Sequence, residues 1–190
     1  MNTALWLLAF QGALGAFDTL YYHEWRARLP AGGEATRDEL RLHAARSLIY
    51  AVVFGTLPFL DWRGAWSLAL AGLLMAEVVI TLKDFVVEDR VRRPLGGVYA
   101  GERVTHALMG IIYGAFLATL FPALRGWWLA PTSLAPSPEA APAALRWALA
   151  LMCAGVFLSG VRDLSAALGL PRSGWPWPSR SGGEARIQGD

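Results

Sequence analysis

Along the chain the apolar positions gather into five long blocks, at residues 4–22, 44–60, 65–85, 107–124 and 145–168. Each approaches the roughly 20 residues that a helix needs to cross a bilayer. None shows the strict alternation of a half-buried strand. Open strands would leave their backbone unsatisfied in lipid, so the Leu- and Ala-rich blocks predict helices. The first block has no basic leader and no small-residue cleavage site, which predicts a retained span. Residues 129–144 carry Pro131, Pro136, Pro138 and Pro142 and predict an extended external linker. The tail, 171–190, is too rich in Pro and Gly to be helical. The predicted architecture is all-α and polytopic, with five transmembrane helices.

Composition sharpens this reading. The 190 residues are 55% hydrophobic and only 17% charged, with nine Trp, which excludes a disordered chain and argues against a water-soluble domain. A formal net charge of +2 gives no reason to expect nucleic acid. The single cysteine, Cys153, lies inside an apolar block, which excludes a disulfide framework and predicts a small buried hydrophobe. Fourteen of the seventeen basic residues fall on one side of the predicted spans; Arg63, Arg125 and Arg146 fall on the other. Basic loops stay cytoplasmic, so the expected orientation is N-terminus outside and C-terminus inside, in a bacterial inner membrane.

The chain also resembles itself. Residues 23–33 align with 87–97, sharing Glu24/Glu88, Arg26/Arg90, Arg28/Arg92, Pro30/Pro94, Gly32/Gly96 and Gly33/Gly97. After a one-residue gap, 39–57 align with 102–120, sharing among others Glu39/Glu102, His43/His106 and Tyr50/Tyr113. This predicts a tandem repeat, 1–60 and 61–128, each unit with two spans. The units enter the membrane in the same direction and should be related by a pseudo-twofold axis along its normal. They would form a four-helix bundle, with a fifth helix at 145–170 added outside.

The repeat gathers scarce polar residues at one end of that bundle. Glu24 and Glu88 end the first helix of each unit, and Glu39…His43 and Glu102…His106 begin the second. Residues at i and i+4 share a helix face, so each Glu–His pair presents two ligands together. Four carboxylates and two imidazoles on four helices can hold two divalent metals. In ligand types and their distribution the set resembles the carboxylate-bridged di-iron four-helix-bundle proteins, although this chain has Glu-x-x-x-His twice where that family has Glu-x-x-His. The resemblance implies a metal set of Glu24, Glu39, His43, Glu88, Glu102 and His106, with iron as the metal. Tyr50 and Tyr113 would hydrogen-bond the ligands or act as redox partners.

Span three adds Glu77, Thr81, Asp84 and Glu88, spaced along one helix face. Carboxylates within a span are costly and mark function, so Glu77 and Asp84 are expected to form a proton path, with Asp84 counted beside the catalytic tyrosines. Arg26, Arg28, Arg90 and Arg92 flank the same end and are expected to hold an anionic headgroup or substrate. Asp18 and His23 lack counterparts in the second unit, and His23 reads best as an interfacial residue. No nucleotide-binding or serine-hydrolase motif occurs. The expected function is a membrane oxidoreductase acting on a lipid-soluble small molecule. The alternatives are a cation or proton transporter using the same carboxylates, a b-type cytochrome with His43 and His106 as axial haem ligands, and a scaffold locked by its polar cluster.

Overall fold

The computed structural model describes residues 1–137 and 140–177. Helix α1 (Asn2–Phe17) continues without a break into a wider π-helical segment, Asp18–Arg26. Then follow α2 (Arg37–Thr56), β1 (Leu60–Arg63), α3 (Ala65–Arg92), α4 (Ala100–Trp128), β2 (Ser133–Pro136) and α5 (Ala143–Ala167). Five helices therefore stand where the five apolar blocks predicted them. Four, all but α2, are long and apolar enough to cross a membrane. The expected fifth span falls short because α2 begins among charges: Arg37, Asp38, Glu39, Arg41, His43 and Arg46 occupy its first half.

The helices pair crosswise. α1 packs on α4 and α2 on α3, so both helices of each aligned unit lie against the other unit. α5 does not stand apart from this bundle; it lies along α2 and also touches α1. Small residues permit the close approach. A Cβ on Gly160 of α5 would come within 2.7 Å of the Ser47 side chain on α2, and one on Gly55 of α2 within 3.0 Å of Cys153 Sγ on α5. The core between the helices is built from Leu5, Leu8, Phe54, Leu70, Phe116, Leu120 and Leu149. Outward faces are also apolar: only 17% (α5) to 33% (α1) of the most hydrophobic window of each long helix is buried. Soluble proteins rarely leave so much contiguous apolar surface, and lipid is the solvent that suits it.

The structure adds detail in three places. The linker is not merely extended: β2 pairs antiparallel with β1, Leu60 opposite Pro136 through Arg63 opposite Ser133. A strand is tolerable here because the pair lies in the connections between helices rather than within a span. α3 runs past the apolar block that ends at residue 85 and carries Arg90 and Arg92 on its last turn. Of the tail, 171–177 form turns that fold back, with the Arg28 guanidinium 4.5 Å above the Trp177 ring and Arg162 donating to the Trp175 carbonyl at 2.8 Å. Residues 178–190, including Arg180 and Arg186, and Pro138 of the linker lie outside the described residues.

Gly64 fixes the connection from β1 into α3. Its φ of +58° and ψ of −128° suit glycine alone, and a Cβ there would stand 2.7 Å from the Thr132 backbone nitrogen. Gly33 has a similar φ, +63°, but open space around it. Thermal unfolding of the detergent-solubilised protein should therefore show Gly33→Ala costing about 1 kcal/mol and Gly64→Ala roughly 3 kcal/mol or more. Equal costs would show that the β1–β2 connection does not press on Gly64.

Candidate metal centre

The polar end of the bundle is organised around a buried arginine. Arg92, 1% exposed, reaches from α3 between the first turns of α2 and α4. Its Nε lies 3.0 Å from both carboxylate oxygens of Glu39, and its Nη2 donates to Glu39 Oε1 at 2.8 Å and Glu102 Oε1 at 3.0 Å. Both glutamates are fully buried. A guanidinium matches a carboxylate in this forked way and cannot lose its proton, which makes it the cation suited to such a place. Glu102 Oε2 also accepts the Tyr99 backbone N–H at 3.4 Å, tying the start of α4 to the same group.

All three histidines gather beside this triad. The His23 and His43 rings stack, centroids 4.5 Å apart, and His106 stands edge-on to His23 at 6.3 Å. His23 Nε2 lies 3.2 Å from Asp18 Oδ2 and 3.2 Å from Glu102 Oε1. His106 reaches Asp18 Oδ2 with Nε2 at 3.2 Å and Glu88 Oε1 with Nδ1 at 3.4 Å. His43 Nε2 is 3.3 Å from Asp84 Oδ2 and 4.0 Å from Glu39 Oε1. The backbone explains how Asp18 and His23 come to share a partner. Five-residue bonds such as Ala27 N–H to Tyr22 O, 2.8 Å, widen the helix and bring residues five apart to the same side.

Three groups of ligand-type atoms result, each within 4.8 Å internally: Asp18, His23 and His106; His23, Glu39 and His43; Glu88, Glu102 and His106. The last two share no residue. Of the six ligands expected from the sequence, Glu39, His43, Glu88, Glu102 and His106 are thus brought together. Glu24 is turned to α5, where it pairs with Arg162. His23, read from the sequence as interfacial, stands in the centre instead, and Asp18 lies between two imidazoles.

The span-three stripe is one buried face. Thr81 donates to Glu77 at 2.8 Å, as does Tyr50 at 3.2 Å, and Arg46 links Glu77 (3.4 Å) to Asp84 (3.1 Å). Gln11 donates to the Tyr50 hydroxyl at 3.3 Å. Tyr50 and Tyr113, aligned in sequence, are neighbours with ring centroids 6.1 Å apart, and Tyr113 donates to the Leu74 carbonyl. The four expected anion-holding arginines part company. Arg92 is buried in the triad, Arg90 pairs at the surface with Asp38 at 3.3 Å, Arg26 lies over Tyr99, and Arg28 lies over Trp177.

Two contributors escaped sequence reasoning. Arg46 was counted only as a topology signal, yet its place one turn below His43 on α2 could have flagged it. Asp163 of α5 is 6% exposed and, among the described residues, makes no hydrogen bond or ion pair. Only the packing of α5 reveals it. Comparisons with family models, curated proteins and solved structures found no match to this chain.

Removing Arg92 would leave Glu39 and Glu102 buried without their cation. Arg92→Ala should cost about 3–5 kcal/mol, whereas Arg28→Ala, at the aligned but exposed position, should cost less than about 1 kcal/mol. Thermal or denaturant unfolding of the two variants checks the contrast.

Proposed function

We propose that this protein is an integral membrane metalloprotein with a dinuclear centre. One ion would be held by His23, Glu39 and His43 and the other by Glu88, Glu102 and His106, with Asp18 between them. The observation that carries this reading is a set of buried carboxylate oxygens that make no hydrogen bond, Asp18 Oδ1, Asp84 Oδ1 and Glu88 Oε2, beside His23 Nε2 and His43 Nε2, whose carboxylate neighbours at 3.2–3.3 Å stand outside hydrogen-bond geometry. Buried polar atoms are normally satisfied, and ring nitrogens with carboxylate oxygens left over in one cluster are the donor set of a divalent cation. Charge supports it too. Five carboxylates touch the imidazoles, against two guanidinium groups, Arg46 and Arg92. In a low-dielectric interior the balance comes from protons on the imidazoles or from bound cations, and we take the second.

The donor set, imidazole with carboxylate, suits iron, zinc or manganese. We take iron as the ion and oxidoreduction of a lipid-soluble molecule as the activity. Bound iron would supply electron transfer and oxygen activation. The chain's own residues do the rest. Arg92 holds Glu39 and Glu102 at a fixed separation and neutralises part of their charge. Asp84, hydrogen-bonded by Arg46 and beside His43, orients that imidazole, as outer carboxylates do for metal-bound histidines. Tyr50 holds its hydroxyl proton toward Glu77, and a cavity beside His23 and His43 gives an apolar molecule access. The haem alternative fares less well, because His23 packs against both His43 and His106 and a macrocycle joining those two would have to displace it. The chain from Glu77 through Arg46 and Asp84 to His43 is the feature that favours a cation or proton carrier.

Metal analysis of protein purified anaerobically separates these readings. About two ions per chain are expected, falling by about half or more in His23→Ala, His43→Ala and His106→Ala. Glu24→Gln should retain the full content. Protein that stays metal-free after anaerobic incubation with ferrous iron would sink the proposal, and a carrier would then be the better reading.

A further inference from the structure

A cavity of about 280 Å³ lies between α1, α2 and α5, with Met109 of α4 closing its back. Its upper wall is apolar and relieved by glycines: Gly12 and Gly15 on α1, Phe54 on α2, Met152 and Gly155 on α5. Its floor is polar, formed by Asp18, His23, His43, Arg46, Tyr50 and Asp163. Ala16, Gly155 and Leu20 belong to the lining and are also exposed, Leu20 by 67%, so the cavity opens between α1 and α5. Gly155 stands midway along the 25-residue α5, far from either helix end. The mouth therefore faces the zone where apolar side chains cover the outside, and its entrant is an amphiphile that leads with its polar head.

The floor selects among heads. Two carboxylates face the cavity, Asp18 and Asp163. The guanidinium there, Arg46, is already committed to Glu77 and Asp84. An incoming carboxylate or phosphate would lie against Asp163, a buried carboxylate with no ion pair among the described residues, in a medium of low dielectric, a costly juxtaposition. A head that donates a hydrogen bond without carrying negative charge finds an acceptor waiting in Asp163, which is buried and has no partner among the described residues. Ser47, Ser159 and Thr19 add hydroxyls at the same level.

We propose that this cavity is a binding site for a lipid-soluble alcohol or phenol, whose hydroxyl donates to Asp163 beside His23 and His43 and whose apolar body leaves between α1 and α5. As a statement of binding this rests on the cavity alone. As a statement of substrate it rests on the metalloprotein reading above, which would then act on a hydroxyl-bearing lipid. Asp163 is here a positioning residue for the head.

The test uses the full chain in nanodiscs, with 4-nonylphenol, dodecanol and dodecanoic acid as probes and metal content measured on the same samples. The phenol and the alcohol should bind at least about tenfold more tightly than the acid. Gly155→Leu places a side chain at the mouth, at a position where a Cβ meets nothing within 4 Å, and should weaken phenol binding about tenfold or more. Asp163→Asn should weaken phenol binding about fivefold and narrow the gap to the acid. Both variants should keep the metal content of the parent. Equal binding of acid and phenol, or phenol binding unmoved by Gly155→Leu, overturns the proposal. A protein that binds phenol selectively but holds no metal supports the site and overturns the metal reading instead, so the two failures are distinct.

Discussion

The bridge from Arg92 to Glu39 and Glu102 is the constraint from which the rest of the polar end follows. One guanidinium ties the starts of α2 and α4 to the end of α3. Helices whose outer faces are as apolar as their seams are set only loosely in register by apolar contact. A buried ion triad fixes the axial register of α2, α3 and α4, since a shift of one turn on any of the three would strand a charge. Once Glu39 and Glu102 are fixed, so are the residues one turn further on, His43 and His106. Glu102 then faces His23, which draws the widened end of α1 into the cluster.

Packing on the other side serves the same end. Close approach of α5 to α2 at Gly160 and Gly55 brings Asp163 to the level of His43 and Arg162 to Glu24. Gly15 and Gly155 do the opposite: a Cβ on either would meet nothing closer than 4.0 Å, so they leave space rather than remove it. Small residues thus have two roles along the same helices, closing the seam between α5 and α2 and opening the cavity between α5 and α1.

Much of this was legible in the sequence because long apolar helices declare themselves by composition. The five blocks matched five helices, and the i, i+4 Glu–His pairs, the Tyr50/Tyr113 pair and the Glu77–Thr81–Asp84–Glu88 face followed from α-helical spacing. What escaped did so for identifiable physical reasons. Asp18 and His23 are five apart, and α-helical geometry sends such residues to different faces; only the π-helical segment aligns them. Arg28 and Arg92 occupy the same aligned position, and no local pattern says that one will be buried and the other exposed. The difference lies in the backbone: α3 stays helical through Arg92, whereas Arg28 sits at φ +52° beyond the end of the first helix. Asp163 belongs to the helix outside the aligned units, so the internal comparison was blind to it.

The asymmetry between the aligned halves bears on how the site would work. A strictly twofold arrangement would set Glu24 opposite Glu88 and Arg28 opposite Arg92, and each ion would see the same surroundings. Instead α5 withdraws Glu24 to Arg162, and His23 takes the inner place. The group made of His23, Glu39 and His43 then carries two imidazoles and one carboxylate, against one imidazole and two carboxylates in the group of Glu88, Glu102 and His106. Fewer anionic ligands leave a bound cation with more positive charge and hold it less tightly. His23 and His43 also line the cavity, while His106, Glu88 and Glu102 do not. The group with fewer carboxylates is therefore the one that faces the cavity, and the more anionic group lies behind it. Two aligned pairs of helices place similar groups of imidazoles and carboxylates side by side; a fifth helix on one side makes one group accessible and chemically different from the other.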